Sequence, residues 1–273
     1  MSGTLRVTVL GCGSSGGTPR ANGDWGACDP NDPRNRRTRC GLLLQKWRGE
    51  AGAAKDATTV LIDTPPELRA QLAEAKPTHL DAVVFSHDHA DQVHGIDDVR
   101  AFYLSTRKTL PAYMDAATKA SLMHRFGYCF EPMAKVYPAL MHLAEELQPL
   151  RPFTVAGPGG DLELTPLDQD HGFSRSLGFR IGPLGYSNDV KDMPNETFAV
   201  LEGMSLWIVD ALRERPAPTH AHLGLTLEWI ARLKPSHAVL TNLHSELDYA
   251  TLAAKLPERV EPAYDGWAQD LPL

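Results

Sequence analysis

Short apolar runs, each of strand length, recur along the chain: Leu5–Leu10, Gly41–Gln45, Thr58–Ile62, Ala82–Ser86, Pro111–Met114, Leu162–Leu167, Leu177–Ile181, Leu206–Val209 and Ala238–Thr241. Their β-branched content and the Gly, Pro, Asn and Asp residues between them predict β-strands. Helical spacing appears between some of the runs. Pro66–Ala75 has proline at its start and Leu68 and Leu72 on one face, and Ala116–Phe126 and Leu223–Leu233 follow the same pattern. Strands come early with little helix and helices accumulate later, which predicts an α/β fold of two packed sheets flanked by helices rather than a strictly alternating parallel sheet. The Pro- and Gly-rich stretches Gly23–Pro33 and Ala156–Asp161 have the length of loops, not linkers, and no long-period repeat interrupts the pattern, so residues 1–273 read as one domain. Thr106–Pro152, with one helix and several prolines, is expected to leave the core as a lid-like excursion.

Composition narrows the classes. With 42% hydrophobic and 22% charged residues in 273, the chain can bury a core without disulfides, which excludes disordered and collagen-like classes. The four cysteines, Cys12, Cys28, Cys40 and Cys129, contain no C-x-x-C pair and read as reduced thiols. The formal charge of −7 gives no broad basic field, so nucleic acid is not the expected partner except as a nucleotide. Each apolar run falls short of the roughly 20 residues that cross a bilayer, and Met1–Leu10 reads as a first strand, so a cytoplasmic protein without membrane association is expected. Association as a homodimer stays open.

Histidine changes the picture. Phe85-Ser86-His87-Asp88-His89-Ala90-Asp91-Gln92-Val93-His94-Gly95 follows an apolar strand directly, and three of the 11 histidines fall within it. On a loop at a strand end, His87, His89 and Asp91 can converge on one point, and imidazole with carboxylate suits zinc, manganese or iron. Three more apolar runs end in the same chemistry: Leu61-Ile62-Asp63-Thr64, Asp168-Gln169-Asp170-His171-Gly172 and Leu240-Thr241-Asn242-Leu243-His244-Ser245. Asp189 lies in the turn Gly185-Tyr186-Ser187-Asn188-Asp189-Val190.

Asp at a strand end, H-x-H-x-D, a single His, an Asp and a C-terminal strand-end His, in that order, resemble the metallo-β-lactamase fold superfamily of metal-dependent hydrolases. Within it, Leu10-Gly11-Cys12-Gly13-Ser14-Ser15-Gly16-Gly17-Thr18-Pro19-Arg20, Leu240–His244 and Asp248-Tyr249 resemble the branch containing the cyclic ribosyl phosphate phosphodiesterase of the carbon-phosphorus lyase pathway. The resemblance implies an αββα sandwich of two mixed sheets flanked by helices, and two divalent ions, Zn or Mn. One ion would be held by His87, His89 and His171, the other by Asp91 and a residue near His244, with Asp189 between them. Asp63 would support the ligand loop by hydrogen bonds, and Asp210 would be structural. Two departures weaken the second ion's site. Gln92 stands where the superfamily has histidine, and Asn242 replaces the histidine of its L-T-H motif, with His244 as the substitute because residues i and i+2 of a strand share a face. Only Cys28 remains of a cysteine-rich zinc loop found in relatives, so that zinc is not expected.

Two divalent ions in such a site activate water and stabilise phosphoryl or acyl charge, so hydrolysis is the implied chemistry. A small cyclic or nucleotide-like phosphoester is the expected substrate. The Gly11–Arg20 loop, with Ser14, Ser15 and Arg20, offers donors to an anion, and the basic run Arg34–Arg39 adjoins it. His220, before the Leu223 helix, matches by its spacing to Leu223 and Leu227 a histidine that the resembled phosphodiesterases use near the leaving group, and is the expected proton donor at the mouth of the site, with Asp91 alongside in catalysis; His222 is the alternative in that role and a substrate-binding candidate. His79, His94, His124, His142 and His237 read as surface or supporting residues. The alternatives are a ribonuclease or tRNA-processing relative, and a non-catalytic metal-binding factor of a biosynthetic pathway.

Overall fold

The computed structural model describes residues 3–133 and 137–273. The chain first builds β1 (Thr4–Gly11), β2 (Gly41–Trp47), β3 (Thr58–Ile62), β4 (Ala82–Val84), β5 (Leu110–Met114) and β6 (Met141–Glu146) into one sheet. A second sheet follows, from β7 (Phe153–Val155), β8 (Leu162–Asp170), β9 (Arg175–Ile181), β10 (Leu184–Ser187), β11 (Leu206–Asp210), β12 (His237–Thr241) and β13 (Val260–Pro262). Finally β14 (Ala268–Pro272) returns to pair antiparallel with β1 at the edge of the first sheet. Both sheets are mixed: β1–β2–β3 and β8–β9–β10 are antiparallel ladders, while β3–β6 and β10–β13 run parallel.

Period-two alternation assigns each side chain to a layer. Leu42, Leu44, Val60 and Ile62 of the first sheet meet Phe179, Tyr186, Leu206 and Ile208 of the second between the sheets. The intervening Leu43, Leu61 and Val83 face the opposite way, onto α1 (Leu68–Ala75), the short α2 (Ala90–Val93), α3 (Arg100–Thr106) and α4 (Ala116–Phe126). Likewise Trp207, Val209 and Leu240 face α5 (Asn195–Leu201), α6 (Leu223–Leu233) and α7 (Tyr249–Ala253). The layers are therefore helix, sheet, sheet, helix, as the αββα expectation requires. Among the described residues no helix is long and apolar enough to cross a membrane.

The expected lid is part of the core. Leu110, Ala112 and Met114 alternate into the buried layer, β5 and β6 extend the first sheet in parallel, and Leu122 of α4 is buried against it. Pro111 lies within β5 itself, and Pro132, Pro138, Pro149 and Pro152 lie between elements.

One cap fastens the C-terminal region to the N-terminal loops. Asp248 accepts from Thr251 N to cap α7, and also from Asn35 Nδ2 at 2.7 Å and Asp29 N at 3.2 Å. Partial burial opposes its charge, but these donors hold the carboxyl down at about 2. A depressed acid stabilises the fold above its unfolded value near 3.8 and loses that contribution as pH falls towards 2. Asp248→Ala is expected to cost roughly 1–3 kcal/mol in urea unfolding at pH 7, with the gap to wild type narrowing at pH 3.

Candidate metal and catalytic site

The functional side chains collect where strands of both sheets end. β3 is followed by Asp63, β4 leads into Ser86 and His87, β8 into His171, β10 into Asn188 and Asp189, β11 ends at Asp210, and β12 is followed by Asn242. Asp63, Asp189 and Asn242 all have positive φ, at 64°, 49° and 58°. Asn and Asp tolerate this left-handed conformation better than most residues, and here it turns each side chain out of its strand and into the site.

His87, His89 and His171 form a compact trio with ring centroids 4.5 to 5.1 Å apart, and their candidate ligand atoms all lie within 4.8 Å of one another. The hydrogen bonds fix which nitrogen is free. Ser86 donates its hydroxyl to Asp63 Oδ2 at 2.7 Å, so its oxygen accepts from His87 Nδ1 at 3.0 Å, leaving His87 Nε2 with the lone pair. That Nε2 is buried and has no hydrogen-bond partner. His171 donates Nδ1–H to the Thr219 carbonyl at 2.7 Å, which frees its Nε2, 3.2 Å from His89 Nδ1. Burial pushes His87 well below its ordinary value and His171, with His220 beside it, down to about 4, so both imidazoles are neutral at pH 7, the form that can bind a cation. An unpartnered, lone-pair-bearing nitrogen within one group of three imidazoles fits a divalent cation.

Carboxylates surround the trio. Burial raises Asp189, Asp210 and Asp63, the last to about 7 despite its two bonds from Ser86. Half-buried Asp91, on α2, adds to the negative field at Asp189. Gathering buried carboxyl groups is costly unless a cation shares the space, so the electrostatics fit the same ion. The implied support role of Asp63 is the one its geometry gives it. Arg125 of α4 braces the ligand loop from outside, donating to the Asp88 carbonyl at 2.6 Å and to His94 Nε2 at 2.9 Å.

Several expected residues stand elsewhere. His244 lies outside both candidate metal-ligand groups: its Nε2 is 2.6 Å from the Arg20 guanidinium and its Nδ1 accepts from Glu246 N. The strand ends at Thr241 and the chain turns at Asn242, so positions 242 and 244 do not share a face. His220 is at the heart of the site rather than its mouth. Its Nδ1 is 2.8 Å from Asp210 Oδ2 and 3.7 Å from Asp189, and its ring is 4.8 Å from His171. Burial alone would lower this imidazole, but Asp210 and Asp189 outweigh it and raise it to about 9. His222 is the N-cap of α6, accepting from Leu225 N, which makes it a helix-start residue.

The glycine loop is not the open anion cradle its composition predicts. The amides of Gly13, Ser14, Gly17 and Thr18 already donate to backbone carbonyls. Gly11 is required for packing, since a Cβ there would lie 2.2 Å from the Arg39 carbonyl oxygen. Ser14 is buried while Ser15 and Arg20 are exposed. The basic run is likewise spent: Arg34 pairs with Asp32 and stacks on Tyr249, Arg36 lies over Trp25, buried Arg37 bonds Asn35, and Arg39 pairs with Glu67.

Three residues carry more than sequence reasoning assigned. Asp210, read as structural, orients His220; a carboxylate directly after an apolar strand was the available signal. Gln92 and Asn188 both donate to Asp189 Oδ2, at 2.8 and 2.7 Å.

Residues 58–242 match the family model described as a beta-lactamase superfamily domain. Over 265 residues the chain is 31% identical to an octanoyltransferase of Porphyromonas gingivalis, covering 96% of this chain and 51% of that protein; the chain thus spans about half the length of this curated relative. A crystal structure of a new diphosphatase from the PhnP family superposes with a TM-score of 0.87 at 29% identity, covering 100% of this chain and 99% of that one. Human tRNase Z, short form, shares the fold at a TM-score of 0.62 and 13% identity, covering 97% of this chain and 98% of that one. The matched segment holds the histidine trio, Asp91, Asp189 and His220, and the two-sheet layering is that of the metallo-β-lactamase fold: the chain belongs to the beta-lactamase superfamily domain family and resembles its PhnP-type hydrolases.

Proposed function

We propose that the chain is a metal-dependent phosphoesterase acting on a small cyclic or nucleotide-like phosphodiester. The observation that carries this reading is the gathering of the candidate ligand nitrogens of His87, His89 and His171 within 4.8 Å of one another, with His87 Nε2 buried and unpartnered. The choice of a phosphate bond is supported by the full-length likeness to a diphosphatase.

The trio would hold the ion, and exposed His89 marks the side from which substrate reaches it. A divalent ion there would supply Lewis acidity, for activating water and for drawing charge from the phosphoryl oxygens. The rest falls to the protein. The Asp63–Ser86–His87 chain keeps Nε2 of His87 aimed inward, and the Thr219 carbonyl does the same for His171. Asp210 accepts Nδ1–H of His220, so proton exchange with the leaving group passes through His220 Nε2. Asp91 adds negative charge that favours the cation.

The test is a screen of the chelated and metal-restored protein against cyclic phosphates, nitrophenyl phosphodiesters, diphosphates, lactones and β-lactams. Chelator-sensitive turnover of phosphodiesters is expected; faster turnover of lactones or β-lactams would replace the substrate class, and turnover that survives verified metal removal would end the hydrolase reading. His220→Ala is expected to slow alkyl phosphodiesters by about 10²–10⁴, while sparing nitrophenyl esters, whose leaving groups need little protonation, with metal content unchanged. Equal losses on both substrates would make His220 a binding or structural residue.

A further inference from the structure

Asp189 is the carboxylate expected to lie between two ions, yet both of its oxygens already receive hydrogen bonds from the protein. Oδ2 accepts from Gln92 Nε2 at 2.8 Å and from Asn188 Nδ2 at 2.7 Å, and Oδ1 accepts from Asn242 Nδ2 at 3.1 Å. All three amides are buried. Gln92 and Asn242 are the two positions at which the family pattern leads one to expect imidazole ligands of the second ion. A carboxamide nitrogen has hydrogens to give and no lone pair to offer a cation. Turning Gln92 or Asn188 over to present its oxygen would set that oxygen against a carboxylate oxygen at under 3 Å, a repulsive contact between two acceptors.

The remaining side of Asp189 is occupied too. His220 Nδ1 and Asn242 Nδ2 both donate to Asp210 Oδ2, at 2.8 and 3.2 Å, and His220 lies 3.7 Å from Asp189. The group formed by His171, Asp189 and His220 has the composition of a second metal site. His171, however, has one free nitrogen, which belongs to the trio, and the Nδ1 of His220 is committed to Asp210. Asp91, the other carboxylate expected on the second ion, joins neither ligand group, so what is left within this one is one carboxylate and one imidazole nitrogen, too few for a site of its own.

We infer that this chain holds a single metal ion, in the His87–His89–His171 trio, and that the second ion's place is filled by protein: three amides satisfy Asp189, and the Asp210–His220 pair stands beside it. The inference rests on the metal reading of the trio proposed above.

The experiment counts ions. The apo protein is reconstituted with excess Zn²⁺ or, separately, Mn²⁺, desalted, and assayed by inductively coupled plasma mass spectrometry against protein mass, with the absorption spectrum of the Co²⁺-loaded chain as a second readout. The wild type is expected to retain one ion per chain, and Gln92→His/Asn242→His to rise towards two. Two ions on the wild type would overturn the inference while leaving the trio intact. No retained ion would instead end the reading of the trio on which it depends. One ion on both proteins, with the double variant folded by circular dichroism, would overturn the assignment of the exclusion to Gln92 and Asn242.

Discussion

His171→Ala is expected to abolish retained metal and to bring hydrolysis down to the level of the chelated protein. His171 supplies one of three converging nitrogens and is held from behind by the Thr219 carbonyl, so truncation removes a ligand and leaves that acceptor unpaired. Disturbing a group that merely supports a ligand already costs about 10–100-fold in affinity or activity; loss of one nitrogen from a three-nitrogen site should exceed that range. The measurement is metal content and turnover of the variant after reconstitution. Retention of wild-type metal with unchanged turnover would show that the ion sits elsewhere. Ser86→Ala provides the graded comparison: it breaks the link from Asp63 to His87 without removing a ligand, and its loss should lie within that 10–100-fold range.

The second large effect is on stability. Trp207 is among the largest fully buried side chains, lies in the layer between β11 and the α5–α7 helices, and donates its indole N–H to Ser187 Oγ at 3.1 Å. Trp207→Ala is expected to cost about 3–5 kcal/mol for the lost contacts and the cavity, a large share of the roughly 5–15 kcal/mol that holds a domain together. Because Ser187 immediately precedes Asn188 and Asp189, the same change loosens the loop that carries the central carboxylate. Urea or thermal unfolding checks the first effect, and metal affinity of whatever folded protein survives checks the second. Trp207→Phe keeps most of the volume and should cost far less; equal losses from the two variants would place the penalty in the hydrogen bond rather than in packing.

Much of this architecture can be read in the chain because it rests on local pattern. Leu42, Leu43 and Leu44 look like an undivided apolar run, and a strand of such residues buried on both faces is what a central position between helices and a second sheet demands. The edges are harder. In β14 only Leu271 is buried, and β6 ends in Ala144-Glu145-Glu146, so neither carries the apolar signal on which a strand prediction depends. In the site, the histidine trio was legible from residue type and order. The position of His244 was not, because it depends on the backbone at Asn242, where a left-handed residue ends the alternation that the i, i+2 argument assumes. Nor do residue types say how amide and guanidinium donors are spent. The arginines of 34–39 look like a field awaiting phosphate until Asp32, Asn35 and Glu67 are seen to engage three of them.

An ion held by the trio would also act on the assembly of the protein. His87 and His89 follow a strand of the first sheet and His171 follows a strand of the second, and beside them Leu177 N of β9 donates to the Ser86 carbonyl across the seam at 2.9 Å. An ion bound there is a suture between the two sheets. It cannot template either sheet alone, since its ligands come together only once the sheets have docked, so metal capture belongs late in folding, after long-range contacts across more than eighty residues have closed. Once captured, it would oppose separation of the sheets by mass action, by roughly 2.7 kcal/mol when free metal is a hundredfold above its dissociation constant.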